Sequence, residues 1–116
     1  MQYVEIFLDG KVRKLRYGFN SVADIEARAE ASIGTLFKKK RVGFDTMRLL
    51  VWGGLKWEDT ELTIDDVGNM LERELEKCGS LDHISEMVNN ALEKSKIFGK
   101  PDSKNAKPEA ANPTSE

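Results

Sequence analysis

The chain's single histidine, His83, stands beside Asp82 at the start of what reads as its last helix. Histidine is the side chain that titrates near neutral pH, so it is the first residue to weigh for acid–base chemistry. Adjacent residues on a helix do not face each other, and Asp82 and His83 therefore form no dyad. His83 reads as a partly exposed helix-start residue. The single cysteine, Cys78, continues an apolar helical stripe and reads as a small buried hydrophobe rather than a nucleophile. One thiol allows neither an internal disulfide nor a metal site built on a cysteine pair. The acids Asp65, Asp66, Glu72, Glu74 and Glu76 lack the oxygen-ligand spacing of a calcium loop and read as a solvated face. Gly53-Gly54 follows Trp52 without the residues that make a phosphate loop or dinucleotide fingerprint, so a close approach by another part of the backbone is the simpler role. No catalytic, cofactor-binding or metal-binding residue is assigned, and the sequence predicts a protein that is not an enzyme.

The best nucleic-acid signal is the run Lys38-Lys39-Lys40-Arg41, to which Arg13, Lys14 and Arg16 would add phosphate contacts. Eighteen Lys and Arg against twenty Asp and Glu leave a net charge of -2, whereas nucleic-acid binders carry a basic excess. No aromatic platform interleaves with the run, which reads as a hydrated connector. A composition of 40% hydrophobic and 33% charged residues is that of a soluble globular domain. No apolar run reaches the roughly 18 residues of a membrane span. The start of the chain lacks the basic-then-apolar pattern of a signal peptide. Together these predict a cytosolic protein with no nucleic acid and no membrane among its partners.

The elements that hold these residues follow from periodicity and turn chemistry. Pro101, Pro108 and Pro113 all lie in the last stretch, and Gly99 to Glu116 contains no large apolar residue. Such a segment cannot offset its ordering entropy, so 99–116 reads as a disordered tail and 1–98 as the folded domain. Gln2 to Leu8 and Lys11 to Tyr17 read as strands. Asp9-Gly10 between them is a strong hairpin signal, because both turn residues must accept positive φ. A two-residue loop pairs Leu8 with Lys11, Phe7 with Val12, Ile6 with Arg13, Glu5 with Lys14, Val4 with Leu15 and Tyr3 with Arg16. Alternation then puts Val4, Ile6, Leu8, Leu15 and Tyr17 on a core face. Tyr3, Phe7 and Val12 fall on the other face, with the pairs Tyr3–Arg16 and Glu5–Lys14.

The remainder reads as about four helices, giving an α+β domain with an N-terminal β-hairpin. Ser21 with Asp24 looks like an acidic capping box for the first, which Gly34 closes. Asp45 caps the second, through Met47, Leu50, Val51 and Leu55. Thr63 caps the third, whose stripe is Ile64, Val67, Leu71, Leu75 and Cys78 before Gly79. Ser80 opens the fourth, with Leu81, Ile84, Met87, Val88, Ala91 and Leu92 inward.

Two stretches carry a resemblance. One is the hairpin followed by Leu15-Arg16-Tyr17-Gly18-Phe19-Asn20-Ser21-Val22-Ala23-Asp24-Ile25-Glu26. The other is Leu50-Val51-Trp52-Gly53-Gly54-Leu55, then Glu58-Asp59, then Leu62-Thr63-Ile64-Asp65-Asp66-Val67-Gly68. Together, over about residues 3–75, they resemble the tail assembly chaperones of long-tailed bacteriophages and the related proteins of gene transfer agents. Gly53 stands where that pattern more often has Ala, and the Lys38–Arg41 run has no counterpart in it. The resemblance implies a non-enzymatic protein that binds the tape-measure protein and tail-tube subunits while the tail is built. It implies a place in the bacterial host cytoplasm and absence from the mature virion. A small phage structural adaptor or regulatory protein-binding module is the alternative.

Such a role needs exposed apolar area balanced by charge. The outer hairpin face offers it, and Tyr3, Phe7, Val12, Arg16 and Trp57 are the expected partner-binding residues, with Arg16 stacked on Tyr3. Both tryptophans also suit a core, and the sequence leaves Trp52 and Trp57 open between core and surface. The two bare strand edges predict a homo-oligomer.

Overall fold

The computed structural model describes residues 3–38 and 43–96. The expected tail at 99–116 and, of the basic run, Lys39, Lys40 and Arg41 lie outside the described residues. In chain order the elements are β1 (Val4–Leu8), β2 (Lys11–Leu15), α1 (Phe19–Ala29), α2 (Ile33–Lys38), α3 (Phe44–Leu55), α4 (Ile64–Cys78) and α5 (Asp82–Ser95). The architecture is α+β, an antiparallel two-stranded hairpin followed by helices. Among the described residues no helix is long and apolar enough to cross a membrane.

Asp9 and Gly10 both take left-handed backbone conformations, with φ 54° and 84°. A two-residue turn of this kind matches the twist of the strands it joins. The register is the expected one, from Leu8 opposite Lys11 to Val4 opposite Leu15. Ile6, Leu8, Leu15 and Tyr17 are buried, and Val4 packs at the margin of the core. The turn is tied to α4 by a forked pair in which Arg73 Nε and Nη2 donate to the Asp9 carboxylate at 2.8 and 2.9 Å. That hydrogen-bonded guanidinium holds the Asp9 carboxyl below its ordinary range.

Helix α3 lies at the centre, against α1, α4, α5 and β2, while α5 covers β1. From Leu49 to Leu55 every residue of α3 is buried. Gly53 and Gly54 make this possible. A Cβ at Gly53 would collide with the Ile25 side chain of α1. One at Gly54 would stand 2.6 Å from Leu15 Cδ2 and 2.9 Å from the Tyr17 ring. The Arg16 amide also donates to the Gly54 carbonyl at 2.9 Å, so the glycine pair admits both side chains and backbone. The Tyr17 hydroxyl donates to the Leu50 carbonyl at 2.6 Å, and burial pushes its phenol well above the ordinary value.

Helix boundaries differ from the sequence expectation in four places. The segment expected as one helix up to Gly34 is two, which brings the number of helices among the described residues to five. Helix α1 starts at Phe19 with Gly18 at its N-cap, and Ser21 is buried inside the helix with no capping role. It ends at Ala29, where Glu30 takes the left-handed conformation. Gly34 lies within α2, whose first turn is held by Glu26 accepting from the Ile33 amide at 2.7 Å and Ser32 Oγ accepting from the Thr35 amide at 3.2 Å. Gly43, not Asp45, is the N-cap of α3; Asp45 sits in the first turn, where the helix dipole favours an acid. Leu81 rather than Ser80 precedes α5. As expected, Thr63 precedes α4 and Gly79 closes it with φ 81°; Thr63 and Asp66 also form a full capping box.

Candidate functional site

The outer hairpin face divides into a closed end and an open end. At the closed end Tyr3 lies on Trp57, with ring centroids 6.4 Å apart and planes at 28°. Lys14 stands over the Tyr3 ring at 5.1 Å, and Arg16 over the Trp57 ring at 5.7 Å. Arg16 therefore stacks on Trp57 and not on Tyr3 as the cross-strand pairing suggested. The loop after α3 swings Trp57 against β2, where its indole N–H donates to the Lys14 carbonyl at 2.9 Å. Glu58 adds a 4.0 Å contact with Lys14, too exposed and long to contribute much. Trp57 is thus half-buried: an anchor of this loop on the hairpin whose outer surface still borders the face.

At the open end, next to the turn, Phe7 and Val12 are register partners that nothing covers. They are 58% and 57% exposed. A directly opposed aromatic and β-branched pair forms one continuous apolar surface. Among the described residues the other exposed large apolar side chains, Phe19 and Phe44, each open a helix and stand apart from this pair in the chain. The five residues expected from the sequence therefore share one face, but only Phe7 and Val12 are open for docking. Tyr3, Arg16 and Trp57 form a stacked border.

Trp52 belongs to the core. It is 6% exposed, donates its indole N–H to the Leu62 carbonyl at 3.0 Å, and carries Arg28 and Lys56 over its ring at 4.8 and 5.2 Å. Lys56 is also paired with Asp24, which ties the end of α3 to α1. A groove of about 460 Å³ runs between α3 and α4, with Met47, Leu71, Leu75 and Leu81 along its walls and Arg48 and Glu72 at its rim.

One grouping escaped the sequence reading. Cys78 is exposed, not buried, and Glu74 is buried, not solvated. Glu74 lies at the middle of the inward face of α4, between Leu71 and Cys78 in helical phase. Cys78 points the same way, so its exposure means that the last turn of α4 extends past the layer covering the rest. The Cys78 thiol donates to Glu74 Oε2 at 3.3 Å, and His83 Nε2 lies 3.0 Å from the same oxygen. Burial raises the Glu74 carboxyl, but the hydrogen bonds from Cys78 and His83, with the charges of His83 and Lys77, leave it below its ordinary value. The accepting carboxylate pushes the Cys78 thiol up, the opposite of what activates a nucleophile. The signal for this cluster was the i, i+4 spacing of Glu74 and Cys78, with the lone histidine just beyond a helix-closing glycine.

No protein-family model, curated protein or solved structure matches the chain.

Proposed function

We propose that this chain is a non-enzymatic tail assembly chaperone of a long-tailed bacteriophage or a related particle. It binds the tape-measure protein and tail-tube subunits in the host cytoplasm during tail assembly and leaves before the virion is complete. The observation that carries a binding role is the uncovered Phe7–Val12 pair, an apolar contact held on a rigid two-stranded scaffold beside the stacked Tyr3, Trp57 and Arg16. The resemblance over residues 3–75 supplies the identity of the partners. An amphipathic helix of the tape measure would lay its apolar stripe on Phe7 and Val12, and Lys14 and Arg16 would meet its acidic flank.

The test is co-expression of the full chain with the tape-measure protein of the same genome, followed by pull-down, for the native chain and for Phe7→Asp. The native chain is expected to retain the tape measure. Phe7→Asp is expected to lose it while keeping its circular dichroism spectrum, because the variant places an unpaired carboxylate in an apolar contact. Absence of a complex with the native chain overturns the function. A Phe7→Asp variant that still binds overturns the surface.

A further inference from the structure

We propose that the corner between α4 and α5 is a binding site for a divalent transition-metal ion, suited to Zn²⁺, with Glu74, Cys78 and His83 each giving one donor atom. Glu74 Oε2, Cys78 Sγ and His83 Nε2 all lie within 4.8 Å of one another. In a tetrahedral zinc site, bond lengths of about 2.0–2.3 Å set donor-to-donor separations of roughly 3.4–3.6 Å. The sulfur–oxygen and nitrogen–oxygen separations here are 3.3 and 3.0 Å. Side-chain shifts of a few tenths of an ångström open these two edges, and His83 and Cys78 close the third. The backbone already supplies the arrangement. Glu74 and Cys78 are one turn apart on α4, and Gly79 in its left-handed conformation turns the chain so that the first turn of α5 brings His83 back over them.

The donor set is selective. A thiolate with an imidazole and one carboxylate suits a borderline ion such as Zn²⁺, whereas Mg²⁺ and Ca²⁺ call for oxygen alone. Thiolate and carboxylate together balance the two charges of the ion. Glu74 is buried and fixed, while Cys78 is exposed and the His83 side chain is 43% accessible, so the ion enters from solvent and a water completes its coordination. On binding, the Cys78 proton now hydrogen-bonded to the Glu74 carboxylate and the His83 Nε2 proton pass to solvent, the imidazole keeping its proton on Nδ1, and the freed sulfur, nitrogen and carboxylate oxygen each form a bond to the metal. The ion then links the last turn of α4 to the first turn of α5.

The experiment is titration of the untagged full chain with Co²⁺ as a spectroscopic probe, then displacement by Zn²⁺. The chain contains one cysteine and one histidine, so a thiolate-to-cobalt charge-transfer band has a single possible source. Expected are one ion per chain, that band together with the strong visible bands of four-coordinate cobalt, their loss on adding Zn²⁺, and a Zn²⁺-dependent rise in the unfolding midpoint. Cys78→Ser is expected to abolish the band. Cys78→Ser and His83→Gln are each expected to weaken binding at least about tenfold, the loss that follows removal of even an orienting partner of a ligand. A native spectrum without the thiolate band, or one ion shared by two chains, overturns the site. So does equal affinity in folded Cys78→Ser and His83→Gln. The native cobalt spectrum decides the matter alone if a variant fails to fold.

Discussion

The two faces of the hairpin are built from the same two strands, yet they belong to different parts of the molecule. The inner face, Ile6, Leu8, Leu15 and Tyr17, is sealed by α3 and α5 to within a few per cent of full burial. The outer face keeps Phe7 and Val12 more than half exposed at one end and folds Trp57 over Tyr3 at the other. Apolarity alone does not separate the faces, since Phe7 is as apolar as anything inside. Covering does: α3 approaches the inner face closely because Gly53 and Gly54 carry no side chain, and on the outer side, among the described residues, the loop bearing Trp57 returns over Tyr3 while Phe7 and Val12 stay exposed. An apolar residue left bare on an otherwise well-covered scaffold is available for a partner.

The sharpest way to break this comparison is Leu15→Ala. Deleting a fully buried leucine side chain should cost about 2–5 kcal/mol in urea or guanidinium unfolding; a loss below about 1 kcal/mol would show that the inner face is not the core. Gly54→Ala comes next. In an uncrowded helix interior this change stabilises by about 1 kcal/mol. Here the new methyl meets Leu15 and the buried Tyr17 ring, and a destabilisation of about 1–3 kcal/mol is expected from overpacking. Combined with Leu15→Ala, the loss should be smaller than the sum, because the truncated side chain makes room. Tyr17→Phe removes the hydrogen bond to the Leu50 carbonyl and keeps the ring, for a loss of about 1 kcal/mol by the same melts. The outer face supplies the smallest effect: Phe7→Asp should move stability by no more than about 0.5 kcal/mol, the range of ordinary surface changes. A large loss at Phe7 would mean that the outer face is a second core, and the contrast between the faces would fail.

The hairpin's turn, its register from Leu8–Lys11 to Val4–Leu15 and its core face were legible because a two-residue turn leaves the register no freedom; the strands end sooner than the expected Gln2–Leu8 and Lys11–Tyr17, since the Arg16 amide turns to the Gly54 carbonyl. The start of α4 at Thr63 and its close at Gly79 were legible because each end is set by local backbone chemistry; that Asp66 completes a capping box with Thr63 was not read from the sequence. What could not be read was set by tertiary packing. Ser21 has the chemistry of a cap but sits against the core. The break after Ala29 depends on Glu26 reaching the Ile33 amide, a contact seven residues apart in sequence. Glu74 has the composition of a surface acid, and its burial follows from Cys78 and His83 converging on it. Of the expected partner residues, the sequence placed Tyr3, Phe7, Val12 and Arg16 on the outer hairpin face and left Trp57 open between core and surface. The division into an open pair and a stacked border depends on where the loop after α3 sets Trp57.

The packing of α5 on β1 also has a consequence for synthesis. β1 is made before the helix that covers it, and that helix is the last described element. At translation rates of about 5–20 residues per second, an interval on the order of 4–16 s separates the emergence of Ile6 from that of Ile84. Throughout that interval the nascent hairpin exposes apolar side chains on both of its faces. A protein whose proposed work is to bind another chain during assembly must itself wait on the ribosome, the β1 part of its inner surface incompletely covered until its last described helix has emerged.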